Sequence, residues 1–159
     1  MKISHSKLKG CVIIEPRVFG DDRGFFLETF QAARYKQEAG IDLPFVQDNH
    51  SRSARSVLRG LHFPKTKPQG KLVRVVRGEV YDVAVDIRNG SPTFGEWECV
   101  ILSEDNQKQF WVPPGFAHGF VVLSATADFE YKCTDYYDPS DEGSILWSDP
   151  DLDISWPIA

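Results

Sequence analysis

The chain of 159 residues lacks the composition that marks several large protein classes. It has no excess of positive charge, because 18 Lys and Arg stand against 23 Asp and Glu and the net charge is −5. Binding of nucleic acid without sequence preference needs a basic surface, so we do not expect nucleic acid as a partner. No apolar run approaches the length that spans a bilayer, and the N-terminal residues have no apolar core of secretory type. We therefore expect no membrane association either.

Cysteine is scarce as well. Cys11, Cys99 and Cys133 lie far apart among strand-forming residues, and there is no CxxC pair. An odd number of isolated cysteines is typical of buried free thiols in a reducing compartment rather than of disulfides or metal ligands. The sequence therefore predicts a cytoplasmic protein.

Linkers, low-complexity segments and internal repeats are also missing. The length is typical of one domain, and aromatic and β-branched residues run through the whole sequence. We expect a single folded domain over residues 1–159.

What the sequence does have is a series of short segments rich in Val, Ile, Phe and Tyr, separated by turn residues. One helix is predicted over residues 31–39, which are good helix formers followed by Gly40 as a C-terminal stop. Many short strands with one helix predict an all-β protein, most simply a jelly-roll β-sandwich. The predicted strands are 11–19, 24–30, 45–51, 57–63, 71–76, 79–88, 96–102, 109–112, 119–123 and 128–137.

The strand over residues 79–88 has two unlike faces. Alternation places Asp82 and Asp86 on one face and Val83 and Val85 on the other. An ordinary sandwich would turn the valines inward and leave both carboxylates in water, and this strand alone favours that arrangement. A small barrel with a polar interior would reverse it.

Most of the residues suited to chemistry lie in two segments. Arg59, His62 and Lys71 belong to the first, and His118 belongs to the second. A neutral histidine, with an ordinary pKa near ~6.5, can remove a proton at pH 7, and nearby cations can hold the resulting anion. Strict alternation would place Arg59 and His62 on opposite faces of the strand, and Gly60 between them is a candidate for either a bulge or a close packing contact.

The pattern Pro113-x-Gly115-x-x-His118 resembles the second motif of the cupin superfamily. Metal-binding cupins need His-x-His in their first motif, whereas the residue two after His62 is Pro64, which has no ligand atom. The resemblance implies a cupin-like jelly-roll barrel with one or two short peripheral helices, no metal and no cofactor.

More closely, the chain resembles the dTDP-4-dehydrorhamnose 3,5-epimerase family over residues 13–157. The resemblance rests on long stretches in the family's order: GDDRGFFLETF, VQDNHSRS, VLRGLHF, QGKLVRVVRGEVYDVAVDIR, GSPTFGEW, VPPGFAHGF and YKCTDYYDP. It implies an epimerase that inverts C3 and C5 of dTDP-4-dehydro-6-deoxy-D-glucose on the route to dTDP-L-rhamnose. It also implies a homodimer in which the N-terminal region of one subunit helps to build its partner's pocket.

The resemblance also assigns roles to residues. His62 matches the base that removes a proton, Tyr131 the acid that returns one from the other face, and Tyr137 the ring that stacks on thymine. Lys71, counted with the catalytic residues, and Arg59 match cations near the sugar ketone and the diphosphate. Further substrate contacts are implied at Arg23, Glu28, Gln47, Asn49 and His118.

These residue types suit the chemistry independently. Epimerisation beside a ketone needs a base to form an enolate and an acid to protonate its opposite face, and neutral histidine and tyrosine can fill these roles. Because Tyr131 and Tyr137 are six residues apart, one regular strand would place both on the same face.

Family members usually continue beyond the counterpart of Trp156-Pro157 and carry there an Asp that orients the catalytic histidine, whereas this sequence stops at Ala159. Either that tail is missing here, or another carboxylate serves, or the activity is altered. As a substitute we expect Asp82, or less strongly Asp86, within hydrogen-bonding reach of His62.

Three functions remain open at this point. The first is the 3,5-epimerase. The second is a related epimerase acting at a single carbon of a dTDP-ketodeoxysugar, and the third is a non-catalytic cupin that binds nucleotide sugars.

Overall fold

The computed structural model describes residues 1–158, which form antiparallel β-strands and one α-helix. The helix α1 covers Ala32–Ala39, and a 3₁₀ helix over Pro139–Asp141 leads into the last strand. The strands are β1 Lys2–His5, β2 Val12–Glu15, β3 Phe19–Asp21, β4 Gly24–Phe26, β5 Gln47–Ala54, β6 Leu58–Pro64, β7 Lys71–Arg77, β8 Glu79–Asp86, β9 Trp97–Ser103, β10 Gln109–Val112, β11 Phe116–Val122, β12 Thr126–Cys133 and β13 Glu142–Ser144.

Two larger sheets face each other. One has the strand order β1-β2-β10-β7-β12-β5 and the other the order β13-β6-β11-β8-β9, while β3 and β4 form a separate hairpin. The apolar core between them includes Val73, Phe110, Phe120 and Phe129, all buried. This is the all-β, cupin-like jelly-roll sandwich that the sequence predicts.

Helix α1 covers the outer face of the six-stranded sheet. Gln31 caps its first turn by accepting from the backbone of Arg34, and Gly40 ends it at a positive φ of 73°. Tyr35 is buried on this side, and its hydroxyl donates to Gln109 at 2.8 Å. The predicted helix and its stop are thus confirmed. No helix within residues 1–158 is long and apolar enough to cross a membrane.

The outer face of the five-stranded sheet is covered by the segment 145–156. Ile145, Leu152 and Ile154 pack there against the cluster that contains Val83 and Val85. Both faces of β8 are therefore buried. Its valines lie beneath the C-terminal segment, and its aspartates are turned towards the other sheet. The sequence-based preference for solvated Asp82 and Asp86 was wrong, since both are fully buried.

Some strand ends differ from the prediction, with consequences for the site. Strand β12 ends at Cys133, so Tyr137 lies in the following loop and the argument from strand alternation does not apply to it. Strand β11 begins at Phe116, so His118 lies within a strand. The short strands β1 and β13 were not predicted.

Strand β6 carries a bulge beside β11. His62 pairs with His118 and Arg59 pairs with Phe120, so Gly60 and Leu61 together stand opposite Gly119. Gly60 has a φ of +110°, and a Cβ atom there would lie 2.6 Å from the carbonyl oxygen of His118. Both interpretations of Gly60 are thus confirmed, because it is a bulge and a close packing contact at once.

We expect Gly60→Ala to lower the free energy of unfolding by about 2–4 kcal/mol, because the methyl group meets backbone atoms that cannot move aside. Gly90→Ala is the matched control, since Gly90 also has a positive φ, 78°, but open space around its Cβ position. The control should lose about 1 kcal/mol from backbone strain alone. Urea unfolding of both variants measures the difference, and equal losses would contradict a steric role for Gly60.

Candidate active site

A cavity of about 580 Å³ opens between β5 at the edge of the first sheet and β6 in the second. A smaller cavity of about 100 Å³ adjoins it and shares several of its lining residues. Most of the predicted site residues line the larger cavity: Asn49, Arg59, His62, Lys71, His118, Tyr131 and Tyr137. The two sheets thus bring together residues that are more than 80 positions apart in the sequence.

The predicted base and acid come from opposite sheets. His62 lies on β6 beside His118 of β11, and the bulge at Gly60 lets Arg59 and His62 line the same cavity. Tyr131 lies on β12 in register with Asn49 of β5. A substrate between the sheets would therefore meet a histidine on one side and a tyrosine on the other.

Tyr131 is suited to hold its proton. Burial raises the pKa of its hydroxyl above the ordinary value, and a hydrogen bond with Asn49 opposes this only in part. The phenol is therefore neutral near pH 7 and able to donate. Its ring also faces a cation, since the Lys71 ammonium lies 5.3 Å from the ring centroid.

Lys71 supplies positive charge at the first residue of β7. Loss of hydration lowers the pKa of its ammonium group, while nearby Cys133, Asp82 and Glu142 act in the opposite direction. A poorly hydrated ammonium beside a tyrosine ring is well placed to stabilise an oxyanion, because little water screens it.

Arg59 lines the cavity and Gln47 does not, but hydrogen bonds hold both side chains in place. The Arg59 guanidinium donates from Nε to the hydroxyl of Ser53 at 2.8 Å, which ties β6 to β5. Gln47 accepts from the backbone N–H of Tyr137 at 3.0 Å and donates to Asn49 at 3.1 Å. The loop that carries Tyr137 is therefore fastened to the first sheet.

His118 is paired with the buried Asp82. The His118 Nε2 atom lies 2.7 Å and 2.9 Å from the two carboxylate oxygens of Asp82, and its ring stacks on Phe129 at 6.0 Å. Burial raises the pKa of Asp82, while His118 and Lys71 oppose the rise. The Asp82 carboxyl group thus has one close hydrogen-bonding partner, His118, and one more distant cation, Lys71.

The hypothesis that Asp82 or Asp86 orients His62 was wrong. Asp82 is already bound to His118, and Asp86 accepts hydrogen bonds from Arg88, Ser91 and Thr93. Burial raises the pKa of Asp86, but these hydrogen bonds outweigh it and hold the pKa well below its usual range. Asp86 therefore organises the loop between β8 and β9.

The carboxylate that does reach His62 is one that sequence reasoning missed. Glu142, the first residue of β13, places Oε1 3.4 Å from Nδ1 of His62. Its other oxygen, Oε2, accepts a hydrogen bond from the Tyr137 hydroxyl at 3.2 Å. Residues 142–144 have no strand pattern in the sequence, so nothing indicated that Glu142 lies beside β6.

Arg23 and Glu28 do not join the cavity of their own chain. Arg23 lies on the β3–β4 hairpin, where its side chain is 91% exposed and pairs with Asp21. Glu28 pairs with Arg34 of helix α1 on another part of the surface. Their roles in binding stay predictions that a single chain does not fulfil.

Within residues 1–158, no three His, Cys, Asp or Glu side chains are grouped closely enough to hold a metal ion. The three cysteines within the same range are free thiols, and Cys11 and Cys133 are buried. Metal-independent chemistry stays a prediction that rests on Pro64. The ionisable side chains that line the larger cavity include Arg59, Lys71 and Glu142.

The fold and this cavity define a cupin-like protein with a histidine and a tyrosine on opposite walls of the site, together with the cations Arg59 and Lys71. The family model described as dTDP-4-dehydrorhamnose 3,5-epimerase matches residues 5–159. The chain belongs to this family.

Individual relatives of this chain are also described as epimerases of dTDP-sugars. The dTDP-4-dehydrorhamnose 3,5-epimerase of Pseudomonas aeruginosa is 55% identical over 158 residues, which cover 99% of this chain and 87% of the relative. A dTDP-6-deoxy-D-glucose-3,5-epimerase from Legionella pneumophila, solved in complex with dTDP-4-keto-L-rhamnose, is 60% identical with a TM-score of 0.97, over 99% of this chain and 84% of that one. A 3'-monoepimerase from Streptomyces bikiniensis, solved with dTDP-quinovose, is 37% identical with a TM-score of 0.90, over 96% and 77%.

We expect Asp82→Asn to lower the free energy of unfolding by about 1–3 kcal/mol, because it disrupts a buried hydrogen bond between the Asp82 carboxyl group and His118. It should also shift the side-chain ¹⁵N resonances of His118, which lose the carboxylate partner. Asp86→Asn is the matched control on the same face of β8. It should cost stability but leave the His118 resonances in place. Unchanged His118 resonances in Asp82→Asn would contradict the pairing.

Proposed function

We propose that this protein is a 3,5-epimerase that converts dTDP-4-dehydro-6-deoxy-D-glucose to dTDP-4-dehydro-L-rhamnose, in dTDP-L-rhamnose biosynthesis. The observation that carries the proposal is the placement of His62 and Tyr131 on opposite sheets, lining one cavity with Lys71 and Arg59. Inversion of a carbon needs a base on one face of the sugar and an acid on the other. Membership of the family and relatives named for this activity support the substrate.

The mechanism follows from the two walls. His62 removes the proton from the carbon beside the ketone, and the electron pair moves to the ketone oxygen to give an enolate. Lys71 stabilises the developing oxyanion. Tyr131 then delivers its phenolic proton to the opposite face of the same carbon, and the ketone re-forms. Proton exchange with solvent restores both side chains before the second carbon reacts.

Anionic parts of the substrate need other cations. Arg59 lines the cavity and is oriented by Ser53, so it is placed to neutralise the diphosphate. Tyr137 is 57% exposed at the mouth, where its ring can stack on thymine. His118 supplies a further contact from the inner wall.

An epimerase that acts at one carbon is the second candidate. The observation that favours it is the 3'-monoepimerase from Streptomyces bikiniensis, which shares the fold with a TM-score of 0.90. The base, the acid and the cavity serve either reaction, so the number of carbons that exchange their proton decides between them.

We further propose a homodimer in which the partner's β3–β4 hairpin completes the site. Arg23 and Glu28 are implied in substrate binding, yet both lie away from the cavity of their own chain. The hairpin also exposes Phe25 and Phe26. If this hairpin packs against a second copy, the two rings become covered and the Arg23 of the same hairpin lies near the diphosphate in the second copy's cavity.

In D₂O, we expect wild-type protein to place deuterium at C3 and C5 of the product, as detected by NMR. His62→Ala should abolish exchange at both carbons, because no proton leaves without the base. Tyr131→Phe removes only the hydroxyl, so exchange at the first carbon should outlast net epimerisation.

The same assay tests metal independence when the protein is first dialysed against a chelator. We expect activity to survive this treatment, and a requirement for added divalent ion would contradict metal independence.

Deuterium at C3 alone in the wild-type product would establish the single-centre epimerase. Binding of dTDP with no exchange at all would establish a non-catalytic binding protein. Exchange that survives in His62→Ala but not in Tyr131→Phe would reverse the two roles.

A mixture of Arg23→Ala and His62→Ala chains tests the shared site. If each site takes His62 from one chain and Arg23 from the other, every mixed dimer has one intact site. Random mixing should then recover about a quarter of wild-type activity from two impaired variants. Mixing Lys71→Ala with His62→Ala is the control, because both residues line the cavity of one chain and no intact site can form. Equal recovery in both mixtures, or none in the first, would contradict the proposal.

A further inference from the structure

Glu142 connects two parts of the cavity with different tasks. One carboxylate oxygen lies 3.4 Å from Nδ1 of His62, and the other accepts the hydrogen bond of the Tyr137 hydroxyl at 3.2 Å. We propose that Glu142 is a positioning residue that orients His62 and couples this orientation to the occupancy of Tyr137 by the nucleotide base. The inference rests on the proposed function for what His62 and Tyr137 do.

The backbone of Glu142 is held on both sides. Strand β13 pairs with β6 so that Glu142 stands opposite Pro64 and Ser144 opposite His62. Just before it, the Asp141 carboxylate accepts hydrogen bonds from the backbone N–H groups of Thr66 and Lys67. These contacts fix the start of β13 against the strand that carries the base, so the distance between Glu142 and His62 is set by the fold.

The contact selects one nitrogen of the imidazole. A carboxylate beside Nδ1 favours the tautomer that carries its hydrogen there, and Nε2 is then free to accept a proton from the substrate. The same carboxylate stabilises the imidazolium that forms after proton removal. Contacts of this type are often long before substrate binds and shorten in the reactive complex.

The link to Tyr137 gives the nucleotide an influence on the base. The Tyr137 side chain is largely exposed, and its hydroxyl is tied to Glu142. A base stacked on this ring would immobilise it, and the hydrogen bond would then hold the carboxylate in its place beside His62. Substrate that carries its nucleotide would thus be processed by a better-ordered base than a truncated sugar would.

Three variants test the bridge. Glu142→Gln removes the charge, and we expect it to lower kcat by roughly 10- to 100-fold, by analogy with the loss of a carboxylate that orients a metal-bound histidine. Tyr137→Phe keeps the stacking ring and removes the hydroxyl, so kcat should fall several-fold while the Kd for dTDP changes less than about threefold. The double variant should be no slower than Glu142→Gln alone, because both changes break one connection.

Two measurements separate this role from simple support of the fold. The ¹⁵N resonances of His62, recorded without substrate, should report a smaller population of the Nδ1–H tautomer in Glu142→Gln. Glu96→Gln is the matched control, because it makes the same change at an exposed glutamate that lines neither cavity. It should leave kcat and the His62 resonances unchanged.

The outcomes are distinct. Multiplicative effects in the double variant would overturn the proposed link between Glu142, His62 and Tyr137. A Glu142→Gln protein that loses dTDP affinity at unchanged kcat would also overturn it and would make Glu142 a ligand contact. An unchanged His62 tautomer in Glu142→Gln would also overturn it. A wild-type protein that exchanges no proton would instead defeat the proposed function, and the tautomer measurement would still test the contact between Glu142 and His62.

Discussion

The close approach of β6 to β11 is the constraint on which the site depends. Gly60 and Gly119 face each other there with no room for a side chain on either, since a Cβ on Gly119 would lie 2.7 Å from the carbonyl oxygen of Arg59. This approach makes the bulge possible, and the bulge directs the side chains of Arg59 and His62 towards the same cavity. In a regular strand, the base and the cation would lie on opposite faces of the sheet. Two residues without side chains therefore decide where two functional side chains point.

A second constraint is the polar interior of the barrel at this end. The buried Asp82 is compensated by His118 at hydrogen-bonding distance and by the more distant charge of Lys71. Loss of the His118 contact would leave the buried carboxyl group without its hydrogen-bonding partner, which is costly in a protein interior. The same low hydration strengthens the action of Lys71 on an oxyanion. Stability and chemistry thus draw on one set of polar groups, and the core residues Phe120 and Phe129 line the same cavity.

The sequence predicts local features well and long-range ones poorly. Gly40 predicts the end of helix α1, and Gly60 predicts the bulge once the family resemblance places Arg59 and His62 in one site. The orientation of β8 could not be predicted in this way, because it depends on a segment some 60 residues later that covers the valines. The position of Glu142 could not be predicted for the same reason. Its neighbour His62 is 80 residues away, and only the pairing of β13 with β6 brings the two together.

In a single chain, the wall of the cavity that carries the base is open to solvent. The side chains of His62 and Glu142 are 47% and 37% exposed, so water reaches the contact that orients the base. Electrostatic interactions weaken in water, and a cover over this wall would strengthen both the carboxylate and the cations. The proposed partner hairpin would supply such a cover together with Arg23. Its guanidinium is now paired with Asp21 at the surface, where an ion pair contributes little, so Arg23 can exchange that carboxylate for a diphosphate at small cost.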